Sequence, residues 1–489
     1  MKLYKIALGL STSIFISSSL HATLVNDKIT FKPNMVVQYN ELPKEAQTVG
    51  EIFTKAMAYA RLRTNMFVYD YKDDSNPTRD DHRAMGIGGS VVLKTAPFAG
   101  FSTTLAGYTS QNPGWFREDA SNALGVKSGK DTYSRHNVIA DGDYGMTVLG
   151  QAYLQYDISK ISIVAGRQLV ESVFTKSNDT KMIPNTFDGL TATIKELPKT
   201  TIQLAYLAKQ KLRDHTTSHD IIAVKGSSQN DDAGSNKNLT VARVGSSNEL
   251  YILSVTNKSI KNLKMNLSYA AVPDVLSNLV LESHYTIPVS KEWKIVPGFR
   301  YMQQFDNLNA NYDVANLKRN EDGYSQSAKQ SLDTSLLALR VDIKNSAFLG
   351  RIGYSKIADK ADIVAPWRGF PTGGFTRAMG QYNWNANTET LMFRAGYDFS
   401  KENIIPGFSV MARYAIQDFD DSKAGVSADS KVIHVDLRQN LGKNLEAKFR
   451  FGFVDMESGI SGIKDDGITA YTKADKSYSE YRFELNYFF

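Results

Sequence analysis

Ten arginines of this 489-residue chain sit at alternating positions inside otherwise apolar stretches: Arg61, Arg63, Arg300, Arg340, Arg351, Arg394, Arg413, Arg438, Arg450 and Arg482. Lys448 keeps the same parity beside Arg450. A guanidinium carries five fixed donors and makes paired, charge-assisted bonds to a carboxylate. Rows of them around one water-filled space would pass an anionic group from one cation to the next. Asp342, Asp398, Asp436, Glu446 and Glu484 share that face, so ion pairing absorbs part of the charge. Lys209, Lys211 and Arg213 also share one parity and are expected near the mouth of such a space.

The residues offer little to catalysis. The chain has no cysteine, which removes disulfides, thiolate metal sites and thiol nucleophiles together. Of the seven histidines, His284 and His434 fall on the arginine-bearing face, near Glu282 and Asp436, with no serine partner that spacing identifies. His215 and His219 have the i, i+4 spacing that suits a metal on a helix, but a Thr/Ser/Gly/Asn-rich tract surrounds them and reads as loop. Gly86, Gly88 and Gly89 precede no helix, so they read as room for a loop or the N-terminal segment to approach, not as a phosphate cradle. The expectation is a non-enzyme with no cofactor and no metal.

Strands must position these residues, because the period is two. In Met57 to Tyr71, Ala58, Ala60, Leu62, Thr64, Met66 and Val68 alternate with Tyr59, Arg61, Arg63 and Asn65. The same alternation sets Trp293, Ile295, Pro297, Phe299 and Tyr301 against Lys294 and Arg300. It sets Leu391, Phe393, Ala395 and Tyr397 against Arg394 and Asp398, and Phe449, Phe451 and Phe453 against Lys448 and Arg450. Tyr481, Phe483, Leu485, Tyr487 and Phe489 form the last such face. Helix is nearly absent, with one short candidate near Lys44 to Lys55.

Composition fits this picture. Hydrophobic residues make up 42% and aromatics 11%, too polar for helical spans and too aromatic for disorder. Lys2 and Lys5, the apolar run Ile6 to Ile16 and the small residue Ala22 read as a secretory signal peptide cleaved near Ala22. Cleavage there removes two lysines and no acid, taking the formal charge from +6 to +4. So small a charge argues against nucleic acid as a partner.

Connections alternate between short and long. Tight turns are expected at 95–97, 157–160, 196–199, 288–291, 345–346 and 442–444, and long polar loops at 110–146, 170–185, 214–247, 306–330, 358–387 and 457–477. That is the layout of an all-β transmembrane antiparallel barrel of roughly 18 strands with inward-folded loops. A β-sandwich or jelly roll also alternates, but has no need for the aromatic strand ends seen here. The barrel is assigned to residues 56–489, and residues 23–55 to a periplasmic or lumenal segment.

Particular stretches carry a resemblance. Gly166-Arg167-Gln168 closes a strand, and the run from Ser177 through Asn178, Asp179, Thr180, Lys181, Met182, Ile183 and Pro184 to Gly189 follows it. This resembles the third loop of the OprD-type outer membrane porin family, with Lys181 where the family usually has Arg. Pro366-Trp367-Arg368-Gly369-Phe370-Pro371-Thr372-Gly373-Gly374 resembles the family's seventh loop. The resemblance implies a monomeric or loosely trimeric outer-membrane channel of a Gram-negative bacterium, with 18 strands and a basic ladder that guides carboxylate-bearing solutes. It implies Ser177, Asn178, Asp179 and Lys181 at a constriction, Arg368 and Arg377 opposite, and the lumenal basic residues above as the ladder. Phe489 resembles the signal read by the barrel-assembly machinery, while lipid and lipopolysaccharide are the expected surroundings. The alternative reading is a surface-display or adhesion barrel with a closed lumen.

Overall fold

In the computed structural model, which describes residues 28–32, 34–73, 81–122, 132–222, 249–308, 331–379, 382–464 and 467–489, the chain closes into one antiparallel barrel of 18 strands. The predicted signal peptide lies outside the described residues, as do most of the loops expected at 214–247 and 306–330. The strands are β1 Met57–Tyr71, β2 His82–Lys94, β3 Phe101–Gln111, β4 Met146–Ile158, β5 Ile161–Gln168 and β6 Thr186–Ile194. They continue as β7 Thr200–Lys211, β8 Leu250–Asn257, β9 Leu263–Val272, β10 Leu276–Tyr285, β11 Lys294–Asp306 and β12 Thr334–Lys344. The last six are β13 Phe348–Ile357, β14 Glu389–Asp398, β15 Phe408–Asp418, β16 Ser430–Asn440, β17 Leu445–Met456 and β18 Tyr478–Phe488. Each strand pairs with its sequence neighbours, and β18 closes on β1 with Tyr478 opposite Tyr71 and Phe488 opposite Arg61. Closure leaves no open sheet edge, which is what lets a β-structure cross hydrocarbon. Among the described residues no helix is long and apolar enough to cross a membrane.

Side-chain alternation sorts the wall into two faces. Leu62, Val91, Leu105, Leu253, Leu267, Val341, Ile352, Phe393 and Ile433 are exposed outside, whereas Arg61, Arg63 and Asn65 are buried inside. So large an apolar belt would be a liability in water and is the lipid-facing band of a membrane barrel. Aromatic pairs collect at the strand ends of this outer face, as in Phe101 with Tyr156 at 4.4 Å, Trp293 with Phe348 at 5.9 Å and Tyr487 with Phe489 at 4.9 Å.

The six tight turns occur where expected, all at the end of the barrel where β1 begins and β18 ends. Asn262 takes the left-handed conformation in the turn before β9, with φ 64°, a region asparagine tolerates better than most residues. Three readings need correction. The candidate helix near 44–55 shrinks to Glu51–Thr54, because the residues before it run along the barrel base, where the Ala46 amide donates to the Pro97 carbonyl. A helix that periodicity did not single out, Arg135–Asp141, sits in the loop after β3, capped by Ser134 and closed by Gly142 at φ 69°. Lys209, Lys211 and Arg213 do not share one environment. Lys209 and Lys211 keep one parity in the ladder, opposite Asp188 and Thr186, yet Lys209 is exposed while Lys211 and Arg213, at and beyond the strand end, are buried.

The interior is filled on one side. A cluster including Phe174, Phe187, Leu207, Ile252, Val280, Met302, Leu336, Trp367, Phe375 and Trp384 packs the inner faces of β6–β13 against two inward-folded loops. A two-stranded hairpin, Ile29–Phe31 with Val37–Tyr39, precedes the barrel and packs on Tyr59, Tyr108 and Phe488 at the opposite side.

Candidate functional site

Two loops, 169–185 after β5 and 358–388 after β13, fold against the inner wall and meet at the Thr175–Arg368 bridge. Polar residues alone cannot hold a loop inside a wet pore, because water competes for every bond. Charge pairs and buried apolar side chains do it here. In loop 169–185, Asp179 accepts from Arg61 Nη2 and, at 2.6 Å, from Arg63 Nη1. Arg63 also binds Glu484 through Nε at 2.9 Å, so one carboxylate of the loop and one of the wall share its fork. Asn65 Nδ2 donates to the Lys181 carbonyl at 2.8 Å, and Arg213 Nη1 to Thr180 Oγ1 at 3.0 Å. Met182 and Ile183 are fully buried against Tyr108, Met146 and Val148.

Glycines in the wall supply the clearance. A Cβ on Gly86 would stand 2.7 Å from Met182 Cγ, one on Gly353 2.6 Å from the Phe375 carbonyl, and one on Gly452 2.1 Å from Met379 Cε. Of the glycines in β2, Gly86 admits the loop, whereas a Cβ on Gly88 or Gly89 would strike the Thr109 or Arg61 carbonyl of a neighbouring strand.

Loop 358–388 hangs from lumenal arginines. Arg340 and Arg351 both donate to the Gly374 carbonyl, Arg300 to the Pro371 carbonyl, and Arg413 Nη1 to the Arg377 carbonyl at 2.8 Å. The Phe375 ring lies 4.8 Å from the Arg300 guanidinium and 5.2 Å from that of Arg340. Arg377 is surrounded by Phe370, Tyr382 and Trp384 at 5.2, 5.3 and 5.8 Å. The loops meet directly: Asn178 Nδ2 donates to the Arg368 carbonyl at 2.9 Å, and the Lys176 amide to that of Trp367.

The residues expected at the constriction therefore divide. Ser177, Asn178, Asp179 and Lys181 all lie in the inward loop, but Ser177 is fully buried and Asp179 is 3% exposed. Lys181 reaches the face of Phe67, with Nζ 3.9 Å from the ring centre. Arg368 touches the first loop instead of facing it across an opening, through the Thr175–Arg368 bridge, and is 1% exposed.

The lumenal basic residues divide as well. Eight of the eleven lie within ion-pair distance of a carboxylate: Arg61, Arg63, Arg300, Arg340, Arg351, Arg438, Arg450 and Arg482. Arg351 grips Asp342 through two bonds of 2.6 and 2.8 Å, and Arg450 Nη2 reaches Asp436 at 3.0 Å. His284 and His434 join these networks through Glu282 and Asp436, at 2.6 and 3.1 Å. Arg394, Arg413 and Lys448 have no carboxylate within ion-pair distance among the described residues. Arg351, Arg394 and Arg413 stand in register on three adjacent strands, with the Nε atoms of Arg394 and Arg413 buried and without partners. Below them β16 and β17 descend through Asp436 opposite Arg450 and Arg438 opposite Lys448.

Sequence reasoning missed the pivot of the first loop. Glu171 accepts the Ser177 amide at 2.8 Å, pairs with Lys176 at 3.4 Å and accepts from Asn34 of the N-terminal hairpin at 3.0 Å. A lone glutamate in a polar loop carries no periodic signal, so nothing in the chain singled it out.

Comparison with known proteins agrees with this architecture. The family model "outer membrane porin, OprD family" matches residues 106–459. No curated protein matches the sequence. Among solved structures, Pseudomonas aeruginosa OccK8 (OprE) superposes with a TM-score of 0.66 at 15% identity, covering 90% of this chain and 99% of its own. Acinetobacter baumannii OccAB3 gives 0.64 at 15%, covering 89% and 100%. Pseudomonas aeruginosa OpdK gives 0.62 at 13%, covering 88% and 98%. At such identities the likeness establishes the fold, while the family match over most of the chain establishes kinship. The chain belongs to the OprD family of outer membrane porins.

Proposed function

We propose that this porin is a passive diffusion channel that favours small hydrophilic solutes bearing a carboxylate, drawn along the lumenal basic residues. The observation that carries the reading is the row Arg351, Arg394, Arg413, in which two neighbouring guanidiniums lack an acid among the described residues. Like charges in register repel, and a row of this kind is held together at lower cost when an anion sits across it. Most arginines are instead bound to acids, and Arg61, Arg63, Arg300 and Arg340 also tie the inward loops, so the ladder is shorter than the count of arginines suggests. OpdK, one of the similar structures, was solved with vanillate, an aromatic acid. Phe489, exposed beyond β18, supports a part in recognition by the barrel-assembly machinery.

Liposome swelling tests the selectivity. Purified protein in liposomes should admit small organic acids faster than neutral sugars of equal size. Equal rates for acids and sugars would remove the carboxylate preference, and no swelling with any solute would favour a closed display barrel.

A further inference from the structure

We propose that the N-terminal hairpin Ile29–Tyr39 is a lumenal wedge that sets the periplasmic exit of the channel and holds the constriction loop from below. This rests on the channel reading above. The hairpin is fastened inside the barrel by its aromatic residues. Phe31 lies 4.9 Å from Phe488 and 5.4 Å from the Arg61 guanidinium. Tyr39 lies 4.6 Å from Tyr59, and Lys94 Nζ stands 4.7 Å from the Tyr39 ring. Arg61, Tyr59 and Lys94 belong to the inner face of the wall, so the hairpin occupies lumen.

The tip points toward the constriction. Met35 turns the chain with φ 64°, a conformation that costs a non-glycine residue free energy and that surrounding contacts must hold in place. Met35 and Val36 are buried. Next to them Asn34 Nδ2 donates to Glu171 Oε2, while the other oxygen of that carboxylate holds the Ser177 amide. One carboxylate thus ties the hairpin to the loop that carries Asn178 and Asp179.

Space remains beside the hairpin's first strand. Ile29, Thr30 and Phe31 face Arg438, Lys443 and Glu446 across a cavity of about 230 Å³. One water needs roughly 10–15 Å³ by the same measure, so this cavity has room for many waters. Arg438 is bound to Glu446 through Nε, which leaves its outer fork toward the cavity, and its side chain is 46% exposed. Arg438 is also the cross-strand partner of Lys448, the lowest of the basic residues without an acid. The cavity thus lies beside the basic wall of β16 and β17, at the end where the short turns lie.

The absence of cysteine makes the test direct. Thr30→Cys would be introduced into the full chain and single-channel current recorded before and after a negatively charged methanethiosulfonate reagent is added from the periplasmic side. Ser259→Cys, in the exposed turn between β8 and β9, serves as control. The expected result is a loss of at least half the conductance for Thr30→Cys and none for the control. A second variant lacking residues 28–39 should conduct at least twofold more than the intact chain, with noisier open current as loop 169–185 loses its tie. Unchanged conductance in both variants, with an intact chain that conducts, would overturn the wedge and leave the channel standing. A silent intact chain with a conducting deletion supports the wedge as a full plug. Silence in both would overturn wedge and channel together.

Discussion

At the scale of single residues, the lumenal arginines are not interchangeable. Asp179 neutralises Arg61 and part of Arg63 in a dry setting, and both arginines are 2% exposed. Removing one partner of a buried ion pair typically costs ~3–5 kcal/mol, since the stranded charge has no solvent. Asp179→Ala should therefore release loop 169–185, lower the thermal transition followed by heat-modifiable gel mobility, and raise single-channel conductance. Arg394→Ala and Arg413→Ala should behave in the opposite way. Neither has an acid to strand, so the barrel's stability should hold, with only loop 358–388 loosened in Arg413→Ala by loss of its bond to the Arg377 carbonyl, while the apparent affinity for a blocking carboxylate falls about tenfold, the worth of one charge-assisted contact of roughly 1.4 kcal/mol. The sequence made the parity of these residues legible, because a strand turns each side chain to the opposite face of its neighbour. It could not separate the paired from the unpaired, since Arg351 and Arg394 look alike along the chain and differ only in which strand lies beside them.

At the scale of elements, backbone clearance decides how the loops sit. A Cβ on Gly369 would fall 2.0 Å from the Phe174 carbonyl, where the two inward loops touch. Gly369→Ala should push them apart, giving a noisier open channel in single-channel recordings at little cost to barrel folding. The outer loops add a pH response. Burial raises the Asp429 carboxyl to about 6, with Asp418, Asp421 and Glu457 adding to the rise against the opposing Phe419 amide bond. A raised carboxyl favours the protonated folded form. Its contribution is fully present below the unfolded value of about 4 and is lost as pH rises through 6. Protease sensitivity of the segment 419–429 should therefore increase between pH 4 and 7, and Asp429→Asn should flatten that change. The turn positions, the long loops and the strand count could be read from the chain, because each follows from local period and composition. Which loops turn inward could not, apart from the resemblance, because that depends on glycines and acids brought together from distant strands. The difference in burial between Lys209 and Lys211 was likewise hidden, since Lys211 is covered by the inward loop, whose Pro184 carbonyl it reaches.

At the scale of the whole molecule, the barrel separates two kinds of surface that one sequence interleaves. The outer belt meets lipid, one inner side is packed with apolar residues from β6 to β13, and the basic wall from β13 to β17 is the side proposed to carry the solute. That asymmetry is the central claim, and planar-bilayer recording tests it most directly. The reconstituted full chain should open in discrete steps, show anion preference in its reversal potential under a salt gradient, and close progressively as vanillate is added. In the Arg394→Ala/Arg413→Ala variant the steps should persist while preference and block weaken together. Discrete steps whose selectivity and vanillate block are the same in the intact chain and in the double variant would contradict it.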